Sequence, residues 1–330
     1  MRRRFAEGTG VVKEFRQIVW DERVADDCRQ IIRLAVREEL DRSHDLTTVA
    51  LVAAASRGAA DIVVRQPGVL AGLPAVPLVI SELNLDVSFR PFHEDGDAVA
   101  AGTRVVRLDG ATRHLLTAER LILNLLGRLS GIATLTRQFV RQVAGTRSRI
   151  YDTRKTTPGW RRLEKYAVRC GGGSNHRTGL FDAVLIKDNH LAQAACNASG
   201  TGMSPAEAVR RARRYLQDVQ PPQADAVVEV EVDTLDQLED VLGAGPDIIL
   251  LDNMSPPQLR EAVRRRDESG SPAELEASGG ITLATVRQVA ESGVERISIG
   301  ALTHSAAALD IGLDWRPPEP LEAAPLTAIP

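Results

Sequence analysis

Apolar residues recur at three- and four-residue intervals between residues 24 and 36, which predicts a helix with one buried face. The mostly polar residues 1–20 before it are predicted to form a loosely ordered extension. Residues 61–65 (DIVVR) predict a strand that residues 66–68 (QPG) end with turn chemistry, and residues 95–97 (DGD) mark a second turn. The first part of the chain is therefore predicted to be a small domain of mixed helices and strands.

A stretch with few helix-breaking residues extends from residue 115 to residue 143. Its apolar positions keep helical spacing, as Leu121, Leu125 and Leu129 illustrate. The pattern predicts either one long helix or two helices joined at Ser130-Gly131. We expect this element to link two domains.

From residue 149 onward, short apolar segments alternate with amphipathic ones. The predicted strands cover residues 149–152, 183–187, 227–232, 247–252, 274–277 and 296–299. The predicted helices between them include residues 204–219, 235–242, 257–266 and 283–291. This alternation indicates a parallel sheet covered by helices, and the number of units favours a barrel. The proline-rich residues 317–330 are predicted to be disordered.

The composition excludes several classes of function. The 330 residues carry a net charge of −3, which gives no general reason to expect nucleic acid or acidic membranes as partners. Cys28, Cys170 and Cys196 have no CxxC spacing, which argues against a disulfide framework and against a zinc site. The basic start is not followed by the apolar segment of a secretory signal, and no apolar run is long enough to span a membrane. A cytoplasmic protein is therefore expected.

Basic side chains collect at the predicted ends of the barrel strands, where the active sites of such barrels lie. Arg154, Lys155, His176, Arg177 and Lys187 would converge on one mouth. Any one of them alone reads as a solvated loop charge, but five positive groups together repel one another unless an anion neutralises them. Because guanidinium groups match carboxylates and phosphates, the expected ligand is multiply anionic.

Carboxylates are also predicted inside the barrel. In residues 228–232 (VEVEV) the side chains alternate between faces, so that Glu229 and Glu231 face the barrel axis when the valines face the outer helices. Buried carboxylates need a compensating cation, and Asp252 ends the next strand. Two interpretations are open: salt bridges to the basic residues, or a magnesium site formed by Glu231 and Asp252 with water and substrate oxygens.

The last two barrel strands end in glycine-containing turns. Ser278-Gly279-Gly280 precedes a helix and Gly300 follows the final strand, so their backbone amides favour phosphate binding. Neither a GxGxxG nor a GxxxxGK[ST] motif is present, which leaves dinucleotide-binding and P-loop functions without support. Four histidines lack metal-ligand spacing and are interpreted as structural or surface residues: His44, His93, His114 and His304.

A series of short motifs resembles the quinolinate phosphoribosyltransferase family over roughly residues 25–312. The motifs are TAER at 117–120, LN at 123–124, SGIAT at 130–134, DTRKT at 152–156, PG at 158–159, KYAV at 165–168, GGGSNHR at 171–177, IKDNH at 186–190, VEVEV at 228–232, LDN at 251–253 and SGGI at 278–281. One departure is Ser43-His44-Asp45, where the family often has a glycine-aspartate pair. Residues 1–20 and 317–330 have no counterpart in the family pattern.

The resemblance implies an α/β fold in which an N-terminal open-faced α/β sandwich precedes an incomplete, seven-stranded α/β barrel of the type II phosphoribosyltransferase kind. Residues 21–130 are accordingly predicted to form the sandwich domain with its linking helix, and residues 131–302 the catalytic barrel. Residues 303–316 are predicted to form a helix that returns to the N-terminal domain. The resemblance also implies a homodimer with shared active sites, or a higher oligomer, in which one subunit's sandwich caps the partner's barrel.

The activity that the resemblance implies is transfer of phosphoribosyl from 5-phosphoribosyl 1-pyrophosphate to quinolinate, with loss of carbon dioxide. The quinolinate-binding residues would be Thr153, Arg154, His176, Arg177, Lys187 and, from the other subunit, Arg120. Lys155, Glu231 and Asp252 would serve the phosphoribosyl donor and its Mg²⁺, and these three with Lys187 would be the catalytic residues. The 5-phosphate would be held by Ser278, Gly279, Gly280, Ser298 and Gly300.

Two other functions remain open. A paralogue with the same fold, such as the pyrophosphorylase-like protein found with molybdenum transport genes, would use another acceptor, but the full cationic set favours a dicarboxylate. A non-catalytic anion-binding barrel is the second alternative. Glu231 and Asp252 argue against it, because an anion trap gains nothing from carboxylates beside its ligand.

Overall fold

The computed structural model describes residues 13–194, 203–221 and 223–316, which form two compact units. The first unit contains Leu135–Ala306 and the N-terminal residues up to Val19. The second contains Trp20–Thr134 and the C-terminal residues from Ala307 onward. The predictions for residues 1–12 and 317–330, and the position of Cys196, lie outside the described residues.

The helices and strands follow the chain in order. The helices are α1 (Glu22–Leu40), α2 (Leu46–Leu51), α3 (Ala75–Glu82), α4 (Thr112–Gln142), α5 (Arg161–Cys170), α6 (Asp188–Ala194), α7 (Pro205–Asp218), α8 (Leu235–Leu242), α9 (Pro256–Ser269), α10 (Val286–Ala290) and α11 (Ala301–His304). The strands are β1 (Arg57–Val64), β2 (Gly68–Val69), β3 (Val87–Pro91), β4 (Ala98–Val99), β5 (Arg104–Ala111), β6 (Arg149–Tyr151), β7 (Val184–Ile186), β8 (Val228–Val232), β9 (Ile248–Asp252), β10 (Glu274–Ser278), β11 (Arg296–Ser298) and β12 (Ile311–Arg316). Within the described ranges, no helix combines the length and apolar character needed to cross a membrane.

The second unit is built on an antiparallel sheet with strand order β12-β1-β5-β3, and α1 packs against α3. α1 begins where the Asp21 carboxylate accepts hydrogen bonds from the backbone N–H groups of Arg23 and Val24, a favourable N-cap. Its buried face contains Val24, Cys28 and Ile32. The helix predicted from the apolar spacing is therefore confirmed.

The helix predicted for residues 303–316 is wrong over most of its length. Only the short α11 is helical, and β12 pairs antiparallel with β1. Ile311, Leu313 and Trp315 alternate with the residues between them, which is the two-residue period of a strand. Pairing also supplies hydrogen-bond partners to an edge of β1 that would otherwise be open.

α4 is one uninterrupted helix, which confirms the long helix and shows that Ser130-Gly131 is not a break. Glycine is required at position 131 because a Cβ there would lie 2.0 Å from the carbonyl oxygen of Ala307. The buried Ser130 hydroxyl accepts a hydrogen bond from the backbone N–H of Ala71 at 3.0 Å. This part of the helix thus serves close packing within the second unit.

The first unit is built on a parallel sheet with strand order β6-β11-β10-β9-β8-β7. Beyond β6, Ser174 forms a parallel bridge with Tyr151, which adds a very short seventh position to the sheet. All strands predicted for this half are present, and α7 to α10 occupy the predicted helical segments, with α10 shorter than expected. The predicted α/β fold class, an N-terminal open-faced α/β sandwich followed by an incomplete, seven-stranded α/β barrel, is confirmed.

Residues 13–19 belong to the first unit and are ordered, so the prediction of a loose extension is wrong for this part of residues 1–20. Phe15 and Ile18 are buried. Phe15 belongs to a cluster at the starts of three barrel strands that also contains Ala183, Val227 and Ile248. The apolar partners of this segment are distant in sequence, so its own polar pattern does not reveal them.

Candidate active site

A cavity of about 740 Å³ opens at the carboxyl ends of the barrel strands. It brings together every predicted site residue of the barrel: Thr153, Arg154, Lys155, His176, Arg177, Lys187, Glu231, Asp252, Ser278, Gly279, Gly280, Ser298 and Gly300. Arg120 is not among the residues that line it. Arg120 lies on α4 in the second unit, where its side chain is exposed.

The arginines of the cavity have hydrogen-bonding capacity that the protein does not use. The Nε atoms of Arg154 and Arg177 are buried, and neither has a hydrogen-bond partner among the residues that the structure describes. Arg177 is held in place because one terminal nitrogen donates to the carbonyl oxygen of Ala183 at 3.0 Å. Burial and the neighbouring Arg154 guanidinium lower the pKa of Arg177 from its ordinary value. Since an unsatisfied buried cation is costly, this end of the cavity is suited to an anionic ligand.

The surroundings of His176 favour its neutral form, so it adds no charge to the five potential positive groups expected at the mouth. Its Nδ1 accepts a hydrogen bond from the backbone N–H of Arg177 at 2.8 Å, so the proton is on Nε2. Nε2 lies 2.9 Å from a carboxylate oxygen of Glu229 and 3.5 Å from one of Glu276. Burial lowers the pKa of His176 to about 4, even though Glu276 acts in the opposite direction. The other four basic residues of that set, Arg154, Lys155, Arg177 and Lys187, also line the cavity.

Glu229 and Glu276 are fully buried beside His176, and each of the three residues places a possible ligand atom within 4.8 Å of the others. Burial raises the pKa of Glu229 to about 8 and that of Glu276 to about 7, with the proximity of Glu229 adding to the second shift. Glu229 faces the barrel interior as predicted. The sequence pattern did not identify Glu276 as a site residue. It lies two residues before Ser278 on β10, which is the same spacing as that between Glu229 and Glu231 on β8.

The two carboxylates predicted to hold magnesium lie on adjacent strands. Glu231 on β8 forms an ion pair with Lys187, the salt bridge that the sequence left open. Asp252, at the end of β9, accepts a hydrogen bond from the Asn253 side-chain amide at 2.8 Å. Both line the cavity. Two carboxylates at the edge of an open, water-accessible cavity are a donor set that fits Mg²⁺, which usually keeps several water or phosphate ligands.

Glycine turns after β10 and β11 also line the cavity. Gly279 has a φ of +98°, and a Cβ there would lie 2.1 Å from the Asn253 side-chain oxygen. A Cβ at Gly300 would lie 3.0 Å from the Lys155 side chain and 3.1 Å from His304. These turns let the backbone approach a ligand closely beside the Lys155 ammonium, an arrangement that suits a phosphate.

His304 also lines the cavity, whereas its sequence context was interpreted as structural or surface. It lies four residues after Gly300, at the end of α11. Its Nδ1 is 2.7 Å from the Ser305 hydroxyl. The sequence feature that could have identified His304 as a site residue is its position one helical turn beyond the last strand end, rather than any metal-ligand spacing.

The loop that carries His176 and Arg177 is fixed by a buried polar network. Lys165 forms an ion pair with Asp152 and donates to the His176 carbonyl oxygen at 2.9 Å. The Asn175 side-chain amide donates to Asp152 at 2.6 Å. The network consists of three fully buried residues, Asp152, Lys165 and Asn175. It supports the loop although none of the three lines the cavity.

The sequence matches family models over most of its length. Residues 132–314 match the C-terminal domain and residues 45–130 the N-terminal domain of quinolinate phosphoribosyl transferase. The chain is 44% identical over 291 residues to the nicotinate-nucleotide pyrophosphorylase [carboxylating] of Mycobacterium leprae, covering 88% of this chain and 97% of that protein. It is 41% identical over 257 residues to the probable nicotinate-nucleotide pyrophosphorylase [carboxylating] of Bacillus subtilis, covering 77% of this chain and 82% of that protein.

Solved structures show the same fold. The nicotinate-nucleotide pyrophosphorylase of Francisella tularensis superposes with a TM-score of 0.81 at 35% identity, over 92% of this chain and all of that chain. The corresponding protein of Ehrlichia chaffeensis superposes with a TM-score of 0.76 at 37% identity, over 87% of this chain and 98% of that chain.

Proposed function

The chain belongs to the quinolinate phosphoribosyltransferase family, and we propose that it joins quinolinate to the phosphoribosyl group of 5-phosphoribosyl 1-pyrophosphate. The products are nicotinate mononucleotide, pyrophosphate and carbon dioxide, so the reaction belongs to the de novo synthesis of NAD. The observation that carries this proposal is the cavity itself. It combines unsatisfied arginine donors, a carboxylate pair on neighbouring strands and two glycine turns, which correspond to an anionic acceptor, a metal and a phosphate.

Quinolinate is bound at the arginine end of the cavity. Arg154, Arg177 and Lys187 supply the charges for its two carboxylates, and Thr153 adds a hydroxyl group. His176 contributes a neutral imidazole rather than a charge. Because a monocarboxylate would leave one set of buried donors unpaired, the site favours quinolinate over nicotinate.

The phosphoribosyl donor occupies the other end. Lys155 and the turns that contain Ser278–Gly280 and Ser298–Gly300 surround its phosphates. Glu231 and Asp252 would hold Mg²⁺, which neutralises the charge of the departing pyrophosphate. Lys187 reaches both regions because its ammonium group pairs with Glu231.

The chemistry follows from the charge that develops during the transfer. The ribose C1 carbon becomes cation-like as its bond to pyrophosphate breaks, and the pyridine nitrogen of quinolinate then forms the new bond. The resulting pyridinium withdraws electrons, so the carboxylate next to nitrogen leaves as carbon dioxide and the ring carbon takes up a proton. The side chains mainly align the two substrates and neutralise their charges.

The active assembly is a homodimer, or a higher oligomer made of such dimers, in which Arg120 serves the partner's cavity. Its exposed position on α4 is consistent with that role. Large apolar side chains are exposed in both units, with Leu46 and Leu51 in the second unit 71% and 79% exposed, and Leu180 and Phe181 in the first unit 76% and 77% exposed. We also propose that the protein is cytoplasmic, as expected from its cysteines.

A direct assay tests the proposal. The protein is incubated with quinolinate, phosphoribosyl pyrophosphate and Mg²⁺, and nicotinate mononucleotide and carbon dioxide are measured. We expect equal amounts of both products and no activity in excess chelator. Turnover with nicotinate should be at least about a hundredfold lower, because that is the order of the penalty for unpaired buried charge. Comparable use of nicotinate, or consumption of the phosphoribosyl donor without release of carbon dioxide, would indicate a different acceptor.

A further inference from the structure

Residues 13–18, here called the floor segment, close the amino-terminal end of the barrel, opposite the cavity. Phe15 is 4% exposed and packs among residues at the starts of β7, β8 and β9. Glu14 accepts hydrogen bonds from the guanidinium groups of Arg149 at 2.8 Å and Arg296 at 3.0 Å, the first residues of β6 and β11. The Tyr151 hydroxyl also donates to Glu14 at 3.0 Å. The segment is therefore tied to strands around much of the barrel.

The floor segment also holds the loop that contributes His176 and Arg177 to the cavity. The Gln17 side chain donates to the Asn175 carbonyl oxygen at 3.1 Å and accepts from its backbone N–H at 2.8 Å. The backbone N–H of Ile18 donates to the Asn175 side-chain oxygen at 2.7 Å. Asn175 is thus bonded on its backbone and on its side chain, one residue before His176.

Phe15 contacts His176 itself. The two rings are stacked, with centroids 4.3 Å apart and planes inclined by 29°. Other groups hold the edges of the imidazole. Its Nδ1 accepts a hydrogen bond from the backbone N–H of Arg177, and its Nε2 faces the Glu229 carboxylate. The edges fix the rotation of the ring in its plane, and Phe15 supports one of its faces.

We propose that Phe15 is a positioning residue for the acceptor site, acting through His176. The loop around His176 has no helix or strand apart from the bridge at Ser174, so side-chain contacts keep the imidazole in place, and Phe15 is the one stacked on its face. The barrel floor provides that support, since Phe15 is itself fixed by three strands. The inference rests on the proposed function, in which His176 contacts quinolinate.

The test compares Phe15→Leu and Phe15→Ala with Val227→Ala. Val227 belongs to the same buried cluster, so its truncation loosens the barrel floor without removing the ring beside His176. We expect both Phe15 variants to raise KM for quinolinate about fivefold, the scale of one aromatic pair. KM for phosphoribosyl pyrophosphate should stay within about twofold in every variant. Phe15→Leu retains apolar bulk and keeps the test valid should Phe15→Ala fail to fold.

A second measurement does not depend on turnover. The ¹⁵N resonances of the His176 imidazole, assigned with a His176→Gln variant, report its protonation and surroundings. We expect the Phe15 variants to move these resonances and Val227→Ala to leave them in place. Two outcomes would overturn the proposal. One is that Phe15→Leu leaves the His176 resonances unchanged. The other is that KM rises for both quinolinate and phosphoribosyl pyrophosphate and that Val227→Ala reproduces this rise. If the wild-type protein does not use quinolinate, the proposed function fails, while the resonances still decide whether Phe15 controls His176.

Discussion

Individual residues of the barrel core are held in ionisation states far from their ordinary ones. Burial raises the pKa of Glu276 to about 7 and of Glu229 to about 8, while it lowers the pKa of His176 to about 4. The folded protein therefore keeps protons on buried carboxyl groups near neutral pH that the unfolded chain would release. Where the folded state binds more protons than the unfolded state, stability falls as the pH rises.

Replacing Glu276 by glutamine should reveal this linkage. The folded pKa lies above the ordinary value of 4.5, so the wild type loses the contribution of this proton as the pH rises from about 5 to 7. Glu276→Gln has no such proton, and its stability relative to wild type should increase over that interval by about 2 kcal/mol. Urea unfolding at several pH values measures the difference. Glu268→Gln on the exposed face of α9 is the control, and its curve should run parallel to wild type.

The metal assignment makes a separate prediction for Asp252. Asp252→Asn removes one of the two charges proposed to hold Mg²⁺, so half-maximal activity should require about tenfold more Mg²⁺. Asp233→Asn is a matched control, because Asp233 follows the same strand as Glu231 but is exposed and lies outside the cavity lining. The measurement is initial rate against Mg²⁺ concentration at saturating substrates. An unchanged Mg²⁺ requirement in Asp252→Asn would mean that this carboxylate does not serve the metal.

Site residues were predictable where sequence position alone placed them at a strand end. Lys187, Asp252 and Gly300 are of this kind, because a parallel barrel gathers its strand ends. Glu276 lies two residues before its strand end, and its proximity to His176 and Glu229 is defined only in the folded barrel. The neutral state of His176 was equally inaccessible, since it depends on burial and on a hydrogen bond from the adjacent backbone.

At the scale of elements, the packing of α4 within the second unit can be tested at Gly131. A Cβ at this position would lie 2.0 Å from the Ala307 carbonyl oxygen, and this backbone atom cannot readily move away. Alanine gains about 1 kcal/mol of helix propensity, but overpacking costs about 1–3 kcal/mol and this contact is severe. Gly131→Ala should therefore destabilise the protein by about 2 kcal/mol in urea unfolding.

Two other glycines calibrate that result. A Cβ at Gly127, on the same helix, would lie 3.0 Å from the Leu309 carbonyl oxygen, so Gly127→Ala should have a smaller effect. Gly243, after α8, has open space around the position of a Cβ, and Gly243→Ala should be within about 0.5 kcal/mol of wild type. Equal effects at all three positions would show that close approach is not the reason for glycine at position 131.

The elements that the sequence predicted well are those with strong local periodicity. α1, α4 and the barrel strands repeat their apolar positions at the spacing of the structure they form. β12 and the floor segment were missed because they are short and gain their stability from distant partners, namely β1 and the barrel strand starts. Local pattern cannot specify such pairing, since the partner is more than a hundred residues away.

At the scale of the whole molecule, the chain divides its functions between two units. The first unit contains the cavity, the carboxylates proposed to bind Mg²⁺ and the floor segment. The second contains Arg120, the basic residue that the family pattern assigns to the acceptor but that does not line this cavity. In the proposed homodimer, Arg120 would complete the acceptor site of the second copy of the chain.

Complementation between two inactive variants tests whether the site is shared. Arg120→Ala and Arg177→Ala should each be nearly inactive, because each removes a cation proposed to bind quinolinate. After subunit exchange, half of the dimers are mixed, and each mixed dimer has one site with both lesions and one site with neither. Mixing equal amounts should therefore restore about a quarter of the wild-type sites. Circular dichroism of each variant and exchange with a tagged wild-type subunit are the controls for folding and for mixing. If one chain supplied both arginines to its own cavity, every site would keep one lesion, and activity would remain at the level of the separate variants.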